Sequence, residues 1–241
     1  MITMISVFKK IDAKAKKIAE MYCEGKKITI EIAGVIIDLY KSEEELKEEF
    51  KEDDSFLISY HEPISSKLEF FLARLFYHVS KEKKLDWKVY LRKQEKRCAP
   101  DIRVEKGKET VFIVEVKANA GWMQCFISPE MYKKDKAKGN HPERLIKSHK
   151  KQLTKYRDTF GKCDVYMFLP TLKSVHREKY ETKYEGYKSN FEKNTGLSKD
   201  KFVILSNYLQ LNLADKKITK DNIKIEQLTD DFEKMLERYT G

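Results

Sequence analysis

Three residues of this 241-residue chain have the types and spacing to do chemistry together: Asp101, Glu115 and Lys117. Glu115 and Lys117 lie two apart in the apolar run TVFIVEVKA, so in an extended strand both side chains leave the same face. A charged pair facing a dry core costs stability, and mutual pairing offsets only part of that cost. A purely structural strand would more easily carry apolar residues there. Asp101 opens the segment DIRVE, and the turn Lys106-Gly107-Lys108 brings it back beside the end of the following strand. Two carboxylates and one ammonium are thereby expected in one small volume.

Such a set suits phosphodiester hydrolysis, whose transition state gathers negative charge on the phosphate oxygens. A hard divalent cation held by carboxylates neutralises that charge and lowers the pKa of a bound water. A neighbouring lysine orients or deprotonates the water, or stabilises the developing charge. Asp and Glu oxygens match Mg2+, with Mn2+ able to substitute.

The elements that must position these residues follow from periodicity. Ser66 and Glu69 have capping-box spacing at the head of KLEFFLARLFYHVSKEKK, whose Leu68, Phe71, Leu72, Leu75, Phe76 and Val79 form a broad apolar helical face. In LDWKVYLRKQEKR, Trp87, Val89 and Leu91 alternate with charges as in a half-buried strand. DIRVE and TVFIVEVKA complete a meander. A long polar segment runs to about residue 141, then residues 142–160 carry Leu145, Ile146, His149, Leu153 and Tyr156 at helical spacing. CDVYMFLP is a further buried strand. The order is helix, three strands, helix, strand.

Pro100-Asp101, thirteen intervening residues and Glu115-Val116-Lys117, set in that order of elements, resemble the PD-(D/E)xK nuclease superfamily. The resemblance covers about residues 62–170. It implies an α/β restriction endonuclease-like core built on a mixed sheet, and a Mg2+-dependent DNA endonuclease leaving a 5′-phosphate and a 3′-hydroxyl. A restriction-type enzyme is favoured over a repair or recombination nuclease. Asp101, Glu115 and the Val116 carbonyl would hold the metal. A glutamate on the first core helix often joins them, which implies Glu69, with Glu62 as the fallback; the residues themselves equally allow Glu69 a capping role. Gln152-Leu-Thr-Lys-Tyr156 is similar to the Gln-x-x-x-Tyr pattern of RecB-type nucleases, which gives Gln152 a place beside the site. The alternatives are a catalytically inactive nucleic-acid-binding module of the same fold, or an RNA-directed nuclease.

The net charge of +10 favours an anionic partner, with DNA first. Basic residues cluster beside the motif in sequence. Lys133, Lys134, Arg144, Lys147 and Lys151 are expected to track phosphates, and Asn119 and Tyr156 to contact nucleic acid. The commoner origin of such a run is a solvated helix face. Charged residues make up 37% of the chain, against about 25% in an average soluble protein. No stretch approaches the ~20 consecutive apolar residues of a membrane span. Cys23, Cys98, Cys125 and Cys163 form no CxxC pair, which fits reduced thiols in a cytoplasmic protein. Double-strand cutting by one site calls for two copies, so a homodimer is expected.

The flanks are read as additions: residues 1–60 an α+β appendage, 61–172 the nuclease core, and 173–241 a C-terminal helical and strand extension. Residues 5–22 have helical spacing. KITIEIAGVIIDLY is rich in β-branched residues and, with a turn at Ala33-Gly34, predicts a hairpin. Ser42 and Glu45 then predict the start of a short acidic helix. Residues 173–193 are expected to be helical, with a stripe of Tyr180, Tyr184, Tyr187 and Phe191. KFVILS is a strand, and residues 229–241 a capped terminal helix.

Overall fold

Helix α1 (Met4–Cys23) buries Ile11, Ala15, Ile18 and Ala19, the stripe its helical spacing predicts. The computed structural model describes residues 4–49, 62–118, 129–139, 141–173, 184–209, 211 and 220–241. Seven α-helices and five strands lie among them.

The expected hairpin at residues 27–40 is instead part of helix α2 (Thr29–Glu49). Ile28, Ile32, Ile36 and Leu39 recur at three- and four-residue intervals, and all are buried. A β-branched residue costs a helix at most ~0.7 kcal/mol, whereas burying an isoleucine contributes about 1.5–3 kcal/mol. Packing therefore overrides propensity. Gly34 is a mid-helix residue rather than a turn, and the Lys220 side chain crosses where its Cβ would stand. The Ser42–Glu45 spacing marks no helix start, because α2 runs through both. The true N-terminus of α2 is capped at long range. The buried Glu233 carboxylate accepts the N–H groups of Ile28 at 2.6 Å and Thr29 at 3.1 Å.

Helix α3 (Glu62–Glu82) starts four residues before Ser66, so the predicted capping box lies inside the helix. The next elements form a meander: β1 (Trp87–Leu91), β2 (Ile102–Lys106) and β3 (Glu109–Val116), paired antiparallel in order. The long polar segment to residue 141 holds helix α4 (Pro129–Ala137). Helix α5 (Pro142–Phe160) then crosses over to β4 (Asp164–Lys173), which pairs parallel with β3. Helix α6 (Tyr184–Thr195) leads to β5 (Phe202–Tyr208), parallel to β4, and α7 (Asp231–Thr240) ends the chain. The sheet order is β1-β2-β3-β4-β5. The fold is thus mixed α/β around a five-stranded mixed sheet.

Alternation along the strands divides the core into two layers. Ile102, Val104, Phe112, Val114 and Phe168 pack with α1, α2, α3 and α7 on one face. Ile113, Val165, Met167, Leu169 and Ile204 pack with α5 and α6 on the other. Residues 27–40 and the terminal helix belong to the first of these clusters along with α3. Tyr187 and Phe191 are buried in the second, so this part of the aromatic stripe is packing; Tyr180 and residues 52–54 lie outside the described residues. At the start of α7 the Thr229 hydroxyl accepts the Asp231 N–H at 3.4 Å. Asp230 makes no side-chain cap bond, while Asp231 accepts the Ile204 N–H and the Lys188 ammonium. No described helix is long and apolar enough to cross a membrane.

Candidate active site

Glu115 points toward α5, because it follows Ile113 by two on β3, and it is 2% exposed. A buried carboxylate needs donors, and four converge on it. The Tyr156 hydroxyl donates to Oε1 at 2.6 Å, and the Asp101 N–H reaches the same oxygen at 3.4 Å. Gln152 Nε2 at 3.3 Å and Lys117 Nζ at 3.4 Å donate to Oε2. Gln152 also donates to the Tyr156 hydroxyl at 2.7 Å, one helical turn away.

Asp101 stands just before β2, beside the end of β3. Its Oδ2 accepts the Val116 N–H at 2.8 Å. Asp101 and Glu115 are therefore cross-linked: each backbone segment donates to the other's carboxylate. The three residues singled out by spacing do share one volume at the C-terminal end of β3. Lys117 closes the strand, with its N–H on the Phe168 carbonyl at 2.9 Å. The Tyr40 hydroxyl of α2 donates to the next carbonyl, Ala118, at 2.6 Å, which ties the N-terminal helices to the exit of the site strand.

The electrostatics record the crowding. Burial, then the charges of Glu115 and Glu69, push the Asp101 carboxyl up to about 7. Burial and the neighbouring Glu115 carboxylate raise the Tyr156 phenol, keeping it a neutral donor. His149, buried on the inner face of α5, is pushed down to about 4 by burial and by the Lys117 ammonium, so its ring is neutral at pH 7.

Glu69 is buried on α3, and Arg92 forks onto it. Arg92 Nε lies 2.5 Å from Oε2, and Nη2 lies 2.8 Å from Oε1. A metal role for Glu69 requires that this fork open. Arg92 has φ of 48°, and its N–H donates to the Asp101 carbonyl at 3.0 Å. A non-glycine residue held in that region costs about 1–3 kcal/mol. Glu62 opens α3.

The donor set suits a hard cation. Asp101 and Glu115 supply oxygens, and among the described residues Oε2 of Glu115 is met by the two long contacts from Gln152 and Lys117. In an extended strand the N–H and C=O of one residue leave the same edge. The Val116 carbonyl thus leaves the edge that presents its N–H to Asp101. A cation there would offset the repulsion that raises Asp101. Among the described residues, no group of three or more His, Cys, Asp and Glu is arranged to hold a metal ion.

Of the other residues expected at the site, Gln152 is present as described. Tyr156 is 2% exposed with its hydroxyl on Glu115, which places it inside the site rather than on a nucleic-acid surface. Lys133 and Lys134 on α4, and Arg144, Lys147 and Lys151 on α5, are exposed. Asn119 lies outside the described residues. Arg92, His149 and Tyr40 were not expected. His149 had a signal, since it precedes Gln152 by three and Tyr156 by seven, on one helical face. Arg92 and Tyr40 had none, because their partners are far away in sequence. No protein family, curated protein or solved structure matches the chain.

Proposed function

We propose that this chain is a Mg2+-dependent DNA endonuclease with a restriction endonuclease-like core spanning α3 to β4. The observation that carries the reading is the cross-linked pair Asp101 and Glu115 with Lys117 Nζ 3.4 Å from Glu115. A structural strand has no need of this buried acidic and basic set. Asp101, Glu115 and the Val116 carbonyl would hold the cation, which when bound supplies charge neutralisation at the phosphate and a more acidic water.

The chain's own residues do the rest. Tyr156 and Gln152 fix the rotamer of Glu115, and the Val116 N–H fixes Asp101, so both carboxylates are oriented before substrate arrives. Lys117, held by Glu115 and 15% exposed in its side chain, orients the attacking water or stabilises charge on the scissile phosphate. Neutral His149, close enough to feel the Lys117 charge, adds no competing positive charge. The exposed basic residues of α4 and α5 supply phosphate contacts. A homodimer would present two such sites for double-strand cutting.

The test is incubation with supercoiled plasmid, with and without Mg2+. Cleavage that needs Mg2+ and falls by at least ~100-fold in Asp101→Ala and Lys117→Ala supports the enzyme. A second reading, a binding module without catalysis, is favoured by the Arg92 fork that occupies both oxygens of Glu69. Salt-sensitive binding with no cleavage of any DNA, methylated DNA included, would select it. A parallel assay on single-stranded RNA decides between the two nucleic acids.

A further inference from the structure

The chain between β1 and β2 combines charge and backbone geometry in a way the catalytic reading leaves unused. Residues 92–97 are Arg-Lys-Gln-Glu-Lys-Arg. Glu95 and Cys98 close a two-residue turn by exchanging backbone bonds, Glu95 N–H to Cys98 O at 2.7 Å and Cys98 N–H to Glu95 O at 2.8 Å. Lys96 and Arg97 hold its two central positions with φ of 46° and 64°. Positive φ at both positions is what a type I′ turn requires, and Asn-Gly is the ordinary choice there. Two long cations stand in its place, both exposed.

This turn is fastened from below. Cys98 is buried, with its thiol 3.1 Å from the Thr159 hydroxyl of α5. Glu95 pairs with the buried Arg103 at 3.0 Å, and the Lys155 ammonium donates to the Arg97 carbonyl at 2.6 Å. At its base, Arg92 connects it to both Glu69 and Asp101. The tip therefore belongs to the same rigid unit as the carboxylate site and touches the helix that carries Lys151 and Lys147. Unfavourable φ values persist where residue type matters more than backbone comfort. Two cations presented at a fixed point suit phosphates, the Arg97 fork especially.

We infer that this turn grips the backbone of duplex DNA, with Lys96 and Arg97 on phosphates beside the Asp101–Glu115–Lys117 site. The inference rests on the nuclease reading of that site. It is tested with the double variant Lys96→Asn/Arg97→Gly, which removes both charges and installs the residues the turn prefers. Binding of a fluorescent duplex is followed by anisotropy in EDTA across a salt series, beside thermal unfolding. The expected result has opposite signs: Tm rises, while DNA affinity falls about tenfold or more at low salt and the salt slope loses about 1.8, at ~0.9 per phosphate contact. Wild-type affinity and slope in the variant, with wild-type cleavage intact, overturn the grip and leave the nuclease reading standing. A lower Tm, or weaker binding at unchanged slope, overturns it as well, since Lys96 and Arg97 would then serve the fold. If wild-type protein neither binds nor cuts any duplex, the nuclease reading has failed and this inference falls with it.

Discussion

Replacing Asp101 with asparagine should stabilise the metal-free protein while abolishing cleavage. Asp101 gives up its proton near pH 7 instead of at the ordinary 3.8, because it is buried beside Glu115 and Glu69. Its folded pKa is raised, so between pH 3.8 and 7 the folded state binds more protons than the unfolded state. Stability is then lost as pH rises through this window. Keeping Asp101 ionised at pH 8.5 costs up to ~4 kcal/mol. Relaxation and water reduce that ceiling, and a realised gain of ~2 kcal/mol corresponds to about 4–8 °C in Tm for a chain of this size. Asparagine keeps an oxygen for the Val116 N–H and adds a donor toward the acidic neighbours. The assay is thermal unfolding by circular dichroism in EDTA at pH 8.5 and pH 5. Asp101→Asn should melt higher than wild type at pH 8.5 and by a clearly smaller margin at pH 5, in the lower part of that window. A lower Tm at pH 8.5, or the same shift at both values, would refute the like-charge account of the site.

Three further outcomes follow from the same geometry. Tyr156→Phe removes the 2.6 Å donor on Glu115 and should lower metal affinity or cleavage rate about 10–100-fold with the fold intact; an unchanged rate would show that Glu115 is oriented by other groups. His149 should stay neutral down to about pH 4, as read by NMR of its ring. Its folded pKa is depressed below the ordinary 6.5, so the unfolded state takes the proton first. Stability should fall as pH drops from 6.5 toward 4, by at most ~3 kcal/mol, and His149→Gln should flatten that limb; an ordinary titration near 6.5 would contradict it. Glu233→Ala leaves the first N–H groups of α2 without their carboxylate and should cost about 1–3 kcal/mol in urea unfolding, whereas a loss under ~0.5 kcal/mol would mean the cap is dispensable.

The site was legible where chemistry and spacing coincide within one hairpin. Asp101, Glu115 and Lys117 needed only the two-residue period of a strand and a glycine turn to be brought together. Gln152 and Tyr156 needed only the helical period. Helix α2 was not legible, because its β-branched residues favour a strand locally and its burial against α3, α1 and β5 decides the matter. The same holds for its cap, since Glu233 lies more than 200 residues from Ile28. Ser66 and Glu69 have the spacing of a cap, yet the helix begins upstream and Glu69 is claimed by Arg92. Arg92 sits in a run of charges that looks like ordinary surface, and only the fold of β1 onto Asp101 reveals its position.

The nuclease reading requires that Asp101, Glu115 and the Val116 carbonyl hold a divalent cation beside Lys117. Crystals soaked in Mn2+ and measured at the manganese edge test it most directly. The expected result is one anomalous peak in contact with those three groups, lost in Asp101→Asn. A strong peak elsewhere in an active enzyme, or none at these residues at saturating Mn2+, would contradict it.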